Sequence, residues 1–136
     1  MRLVFKLFSG LLLLGIAGAV LFSAVNWVPD RSVEELKTRW ALPASQFIEI
    51  DGMQIHVLDE GPRGDAAPIV LLHGTSSSLH TWDGWADALK DERRVIRFDM
   101  PAFGLTGPSP DNNYTIEYYA QIVVAVLKKL QVDRYV

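Results

Sequence analysis

The chain has 136 residues, room for one domain of ordinary size, and its 49% hydrophobic and 21% charged residues exclude intrinsic disorder. The net charge is −3 and the 13 Lys and Arg are scattered, which excludes the basic stripe that a nucleic-acid groove uses to displace counterions. No cysteine is present, so disulfides, thiolate metal sites and lipoprotein-type lipid attachment are excluded as well.

Leu7 to Val25 reads LFSGLLLLGIAGAVLFSAV, a run without a charge. As a helix rising about 1.5 Å per residue it covers roughly 28 Å, close to the hydrocarbon thickness of a bilayer. Arg2 and Lys6 precede it, which predicts a cytoplasmic N-terminus and an extracytoplasmic remainder. Trp27 falls where an interfacial aromatic anchor is expected. Residues 1–28 are therefore predicted to be a transmembrane signal-anchor, with residues 7–25 in contact with lipid. Secretion after cleavage is the alternative. Ala17-Gly18-Ala19 fits a cleavage pattern but lies inside the apolar run, and cleavage after Ala24 would set the large Phe22 at −3.

Residues 29–45 read as a connector with one short helix, because Ser32 and Glu35 have capping-box spacing and Pro43 stops the helix. Phe47 to Ile50, Asp51-Gly52 and Met53 to Leu58 predict a β-hairpin with a two-residue type I′ turn. After a polar loop, Ile69 to Leu72 is a short apolar run, as in a parallel strand buried on both faces. The loop HGTSSS follows, then a helix over Thr81–Leu89 with Trp82, Trp85, Ala86 and Leu89 at helical spacing. Val95 to Phe98 is the next strand, and Asp99 to Asn113 a long loop. A helix from Thr115 to about Lys129 is predicted to have Ile116, Tyr119, Ala120, Val123, Val126, Leu127 and Leu130 as its buried stripe. Arg134 to Val136 reads as the start of another strand. Alternation of this kind builds an α/β fold with a parallel sheet covered by helices.

Two stretches go beyond a generic α/β domain. The first is Ile69-Val70-Leu71-Leu72-His73-Gly74-Thr75, followed by Trp82 and Trp85. The second is Val95 to Phe98, then Asp99-Met100-Pro101-Ala102-Phe103-Gly104, followed by Pro108. In this order and after a hairpin they resemble the third and fourth strands of the α/β-hydrolase fold family and the loops that follow them. The resemblance covers residues 46–136 and implies the N-terminal part of an α/β-hydrolase domain, with strand order 1-2-4-3-5 in the complete sheet. Two departures lie in the second motif: Ala102 replaces its first Gly, and Thr106-Gly107 replaces the Ser common there. Thr75-Ser76 stands where epoxide hydrolases and haloalkane dehalogenases place an aromatic residue or Asn followed by Pro. That difference tilts the reading toward serine esterases and carbon–carbon bond hydrolases.

The resemblance implies roles residue by residue. The backbone N–H of Thr75 is the expected oxyanion-hole donor, whose partner is the N–H after the nucleophile. His73 and Gly74 are expected to shape that loop, and Asp99 to hold its neighbour through backbone N–H groups rather than to act as a triad acid. From the residues themselves, His56 reads as a half-buried packing residue, His80 as a surface or capping one or else as facing the substrate pocket, and Trp82 and Trp85 as core or, alternatively, pocket wall. Three His without Cys, none at i, i+4 spacing, make no case for a metal, and no cofactor motif is present.

No nucleophile elbow, G-x-[SDC]-x-G, occurs, and Ser76, Ser77 and Ser78 lie in no strand–elbow–helix context. No catalytic residue is therefore assigned, and the chain alone is expected to be inactive. The reading is an N-terminal fragment of a membrane-anchored hydrolase whose complete form cleaves small-molecule esters or C–C bonds. Its alternatives are an epoxide hydrolase or haloalkane dehalogenase with an Asp nucleophile, and a non-catalytic membrane-anchored interaction domain. The last would leave the apolar strand 69–72 with an open edge.

Overall fold

The computed structural model describes residues 2–136, which divide into two compact units, one ending at Arg31 and one running from Ser32 to Val136. The first unit holds helix α1, Arg2–Val25. Its residues Val4–Val25 are long and apolar enough to cross a membrane, and none of that span is buried. Its apolar side chains, Leu11 to Leu14 among them, are more than half exposed all round.

The second unit opens with α2, Val33–Trp40, where the Ser32 hydroxyl accepts the Glu35 N–H as the spacing predicts. Strands β1, Gln46–Ile50, and β2, Met53–Glu60, form the hairpin. Asp51 and Gly52 both take positive φ (49° and 76°), the signature of a type I′ turn. Strand β3, Ile69–Leu72, leads through a 3-10 turn, Leu79–Trp82, into α3, Asp83–Leu89. Strand β4, Val95–Phe98, and α4, Ile116–Lys129, complete the elements.

The sheet order is β1-β2-β4-β3, the first four strands of the order that the resemblance implies. β2 pairs antiparallel with both β1 and β4, and β3 pairs parallel with β4, Leu72 opposite Phe98. This register ends β3 and β4 side by side, so the loops at 73–78 and 99–107 leave the same edge of the sheet. Ile55, Val57, Ile96 and Phe98 pack with Ile122, Val126 and Leu127 of α4 in the core. A buried ion cluster closes the sheet's other end: Arg94 clamps Asp59 through two bonds of 2.9 Å, and Arg63 joins them. Arg97, also buried, joins Glu60 at 2.9 Å, Asp83 and the Leu79 carbonyl, so its charge is paired where it lies.

Several sequence expectations need correction. The α4 stripe is rotated, with Ile116 82% exposed and Ala120 exposed, while Ile122 is buried. Trp85 is 62% exposed, because a seven-residue α3 buries only the face that carries Ala86. Leu72 of β3 is 42% exposed, since the outer edge of β3 is met only near its start. There Val136 donates to the Pro68 carbonyl and accepts the Val70 N–H, both within 3.0 Å.

Candidate functional site

The loop after β3 is held through His73. Its Nε2 accepts the Met100 N–H at 3.0 Å, so the ring proton sits on Nδ1, which donates to the Gly74 carbonyl at 2.8 Å. The tautomer thus follows from the partners. One imidazole ties the two loops together and turns the Gly74 carbonyl inward. No cis peptide bond occurs among the described residues, so the N–H of Thr75 points the opposite way from that carbonyl. It makes no hydrogen bond among the described residues. Thr75 lines a cavity of about 450 Å³ with Leu72, His73, Gly74, Met100, Phe103 and Tyr119. An unpaired N–H on a residue that lines a cavity meets one requirement of a donor to a developing oxyanion.

Asp99 lies beneath both loops, fully buried. Its Oδ1 accepts the Leu79 N–H at 2.7 Å, and its Oδ2 accepts the Leu105 N–H and His56 Nδ1, each at 2.8 Å. The carboxylate thereby fastens the start of the 3-10 turn and the turn after β4 to β2. Thr106 continues the lattice: its hydroxyl donates to the Asp99 carbonyl and accepts the His56 N–H, both at 2.9 Å. The Thr at this position thus supplies a hydroxyl to the same lattice.

Burial pushes the Asp99 carboxyl up, but hydrogen bonds from His56, Leu105 and Leu79 outweigh it and hold the group below its usual value. The sign follows. A carboxylate lowered on folding contributes stability that is fully present above the unfolded value and is lost as pH falls through the lowered folded value. The urea midpoint of the chain should therefore hold from neutral pH down to the ordinary carboxylate range and drop below it. Asp99→Asn should flatten that drop.

Ala102 carries a second consequence. It sits at φ +68° while its N–H reaches the Gly107 carbonyl at 3.0 Å, so a residue with a Cβ occupies left-handed backbone. Ala102→Gly should stabilise the chain by about 1 kcal/mol, read as a higher urea midpoint at an unchanged slope.

The structure gathers His73, Gly74 and Thr75 at the cavity and sets Asp99 below them. Ser76 takes φ +58° in an exposed turn, and Ser77 and Ser78 lead into the 3-10 turn, so none of the three forms an elbow. His80 faces Asp83 at 3.3 Å and donates from Nε2 to the Trp40 carbonyl at 3.0 Å. Among the described residues no group of three or more His, Asp or Glu stands close enough to hold a metal ion. His56 corrects the sequence reading: it is wholly buried and hydrogen-bonded at both ring nitrogens, to Asp99 and, at 2.7 Å, to Ser45 Oγ. A signal for this existed. The Asp-Gly turn sets Phe47 opposite His56, which brings the residues just before β1 beside that histidine.

The family model described as the alpha/beta hydrolase fold matches residues 67–136, both loops included. The chain belongs to the α/β-hydrolase fold family. Over 81 residues, 59% of this chain and 14% of the relative, it is 35% identical to the probable oxidoreductase EphD of Mycobacterium tuberculosis. It is also 35% identical over 83 residues to a haloalkane dehalogenase of Psychrobacter cryohalolentis, 60% of this chain and 27% of that one. Among solved structures, the Cif epoxide hydrolase from Acinetobacter nosocomialis superposes with a TM-score of 0.59 at 24% identity, covering 76% of this chain and 36% of that one. That likeness is one of fold. The chain spans well under a third of the length of these two curated relatives.

Proposed function

We propose that this segment supplies half of the oxyanion site of a membrane-anchored hydrolase, and that the complete protein cleaves small-molecule esters or C–C bonds. The unpaired Thr75 N–H at the cavity carries this reading. His73 and Asp99 act as the supports that fix its loop. During attack on a carbonyl, negative charge grows on the oxygen, and a preorganised N–H is worth about 3–4 kcal/mol of barrier there. The nucleophile, acid and base belong to the part of the fold that follows β4 and α4. The apolar α1 serves as the lipid anchor and leaves the hydrolase unit outside the cytoplasm.

A second reading has its own support. The similarity to a haloalkane dehalogenase favours an Asp nucleophile that displaces halide or opens an epoxide, with Thr75 acting when the resulting enzyme ester is hydrolysed. One experiment separates the two. The complete enzyme, in membranes, is given a p-nitrophenyl ester, an aryl epoxide and a bromoalkane in turn. The first reading expects p-nitrophenolate, whereas bromide or diol without nitrophenolate would establish the second. The 136-residue chain alone is expected to show no steady-state ester turnover above background. Turnover that survived replacement of Ser76, Ser77 and Ser78 by Ala would contradict this assignment of the chemistry.

A further inference from the structure

Ser45, His56 and Asp99 form a hydrogen-bonded chain that the oxyanion loop does not account for. Ser45 Oγ lies 2.7 Å from His56 Nε2, and His56 Nδ1 lies 2.8 Å from Asp99 Oδ2. An ionised carboxylate only accepts, so the ring proton is on Nδ1, and Nε2 offers its lone pair to the Ser45 hydroxyl. The Ser45 oxygen also accepts the Leu42 N–H at 2.9 Å. That leaves one of its two lone pairs uncommitted. Ser45 is part-buried, whereas His56 and Asp99 are fully enclosed, so Ser45 is the least buried member of the chain. An apolar pocket of about 210 Å³, lined by Leu36, Trp40, His80 and Leu105, reaches Asp99 at the other end of this chain. A hydroxyl on a base that is itself oriented by a third group is the arrangement that activates a serine nucleophile, whatever the fold and the order in sequence.

We propose that Ser45 is a nucleophilic serine, with His56 as its base and Asp99 as the positioning residue, that takes a single acyl or phosphonyl group from small activated esters. With an ester, the Oγ–acyl bond forms while the bond to the leaving oxygen breaks. The hydroxyl proton passes to His56 Nε2 and from there to the leaving group. With a fluorophosphonate, the Oγ–P bond forms, fluoride leaves, and the proton passes through His56 to solvent. The product is a stoichiometric adduct, in keeping with the absence of turnover expected above.

The test treats the full 136-residue chain, in detergent micelles, with an alkyl fluorophosphonate and maps the adduct by peptide mass spectrometry. One adduct is expected, on Ser45, absent in Ser45→Ala and unchanged in Ser77→Ala. In His56→Gln the rate should drop by about 100-fold or more. Should His56→Gln fail to fold, S45C supplies the second arm: its thiol should be alkylated by iodoacetamide at least about ten-fold faster in the native chain than in urea at the same pH. No adduct at Ser45, an unchanged rate in folded His56→Gln, or equal alkylation of native and unfolded S45C would each overturn the proposal.

Discussion

Asp99→Ala should unfold the Ser32–Val136 unit or leave it at the margin of stability. The carboxylate accepts from Leu79 N–H, Leu105 N–H and His56 Nδ1, all of them buried. Each donor left without a partner costs about 1–3 kcal/mol, so the sum is roughly 3–9 kcal/mol against a total stability of about 5–15 kcal/mol for a domain of this size. Asp99→Asn should lie between wild type and Ala. It keeps the shape, but one amide nitrogen must face a donor whichever way the group is turned. Urea titration followed by tryptophan fluorescence gives the ranking. A midpoint for Asp99→Ala within the range of a surface substitution such as Glu92→Ala would mean that the carboxylate does not fasten the loops.

Gly104→Ala attacks the same lock from the other side. Gly104 has φ +51°, and a Cβ there would fall inside the Asp99 carboxylate. The left-handed backbone costs an alanine about 1–2 kcal/mol, and forcing the carboxylate aside adds about 1–3 kcal/mol more. The expected loss of roughly 2–5 kcal/mol contrasts in sign with the gain from Ala102→Gly two residues earlier. It should also be coupled to Asp99. In Asp99→Ala/Gly104→Ala the clash is gone, so the double variant should lose clearly less than the two single losses added together. Strict additivity would place the cost of Gly104→Ala in the backbone alone.

Local chemistry that acts over a few residues was legible in the sequence. Asp51-Gly52 specified the turn and hence the register of β1 and β2. Ser32 and Glu35 marked the start of α2, and the apolar runs at 69–72 and 95–98 gave the two parallel strands. The pairing of the HGTSSS loop with the Asp99 loop, and the structural standing of His73 and Asp99, followed from the resemblance to the hydrolase family. What was not legible depends on neighbours remote in sequence. The full burial of His56 depends on Asp99, 43 residues further on, of which a single histidine in a strand carries no sign. Trp85, Ile116 and Ala120 were placed inside because helical spacing tells which residues share a face, not which face meets the sheet. Leu72 was expected to be enclosed because an apolar run signals burial, but enclosure of β3 takes a strand along its whole outer edge. At Val136 that partner is met only by its first residue.

A Thr75 loop that forms one half of an oxyanion site requires a nucleophile elbow on the strand beside β3. The nucleotide sequence past codon 136 tests it most directly. A G-x-S-x-G, G-x-D-x-G or G-x-C-x-G elbow is expected within about ten codons, after a short apolar strand that pairs with β3. The residue in the middle of the elbow would also decide between the carbonyl chemistry proposed above and the Asp-nucleophile reading. An in-frame stop followed by sequence without such an elbow in any frame would contradict the claim and leave Thr75 as part of a tight loop only.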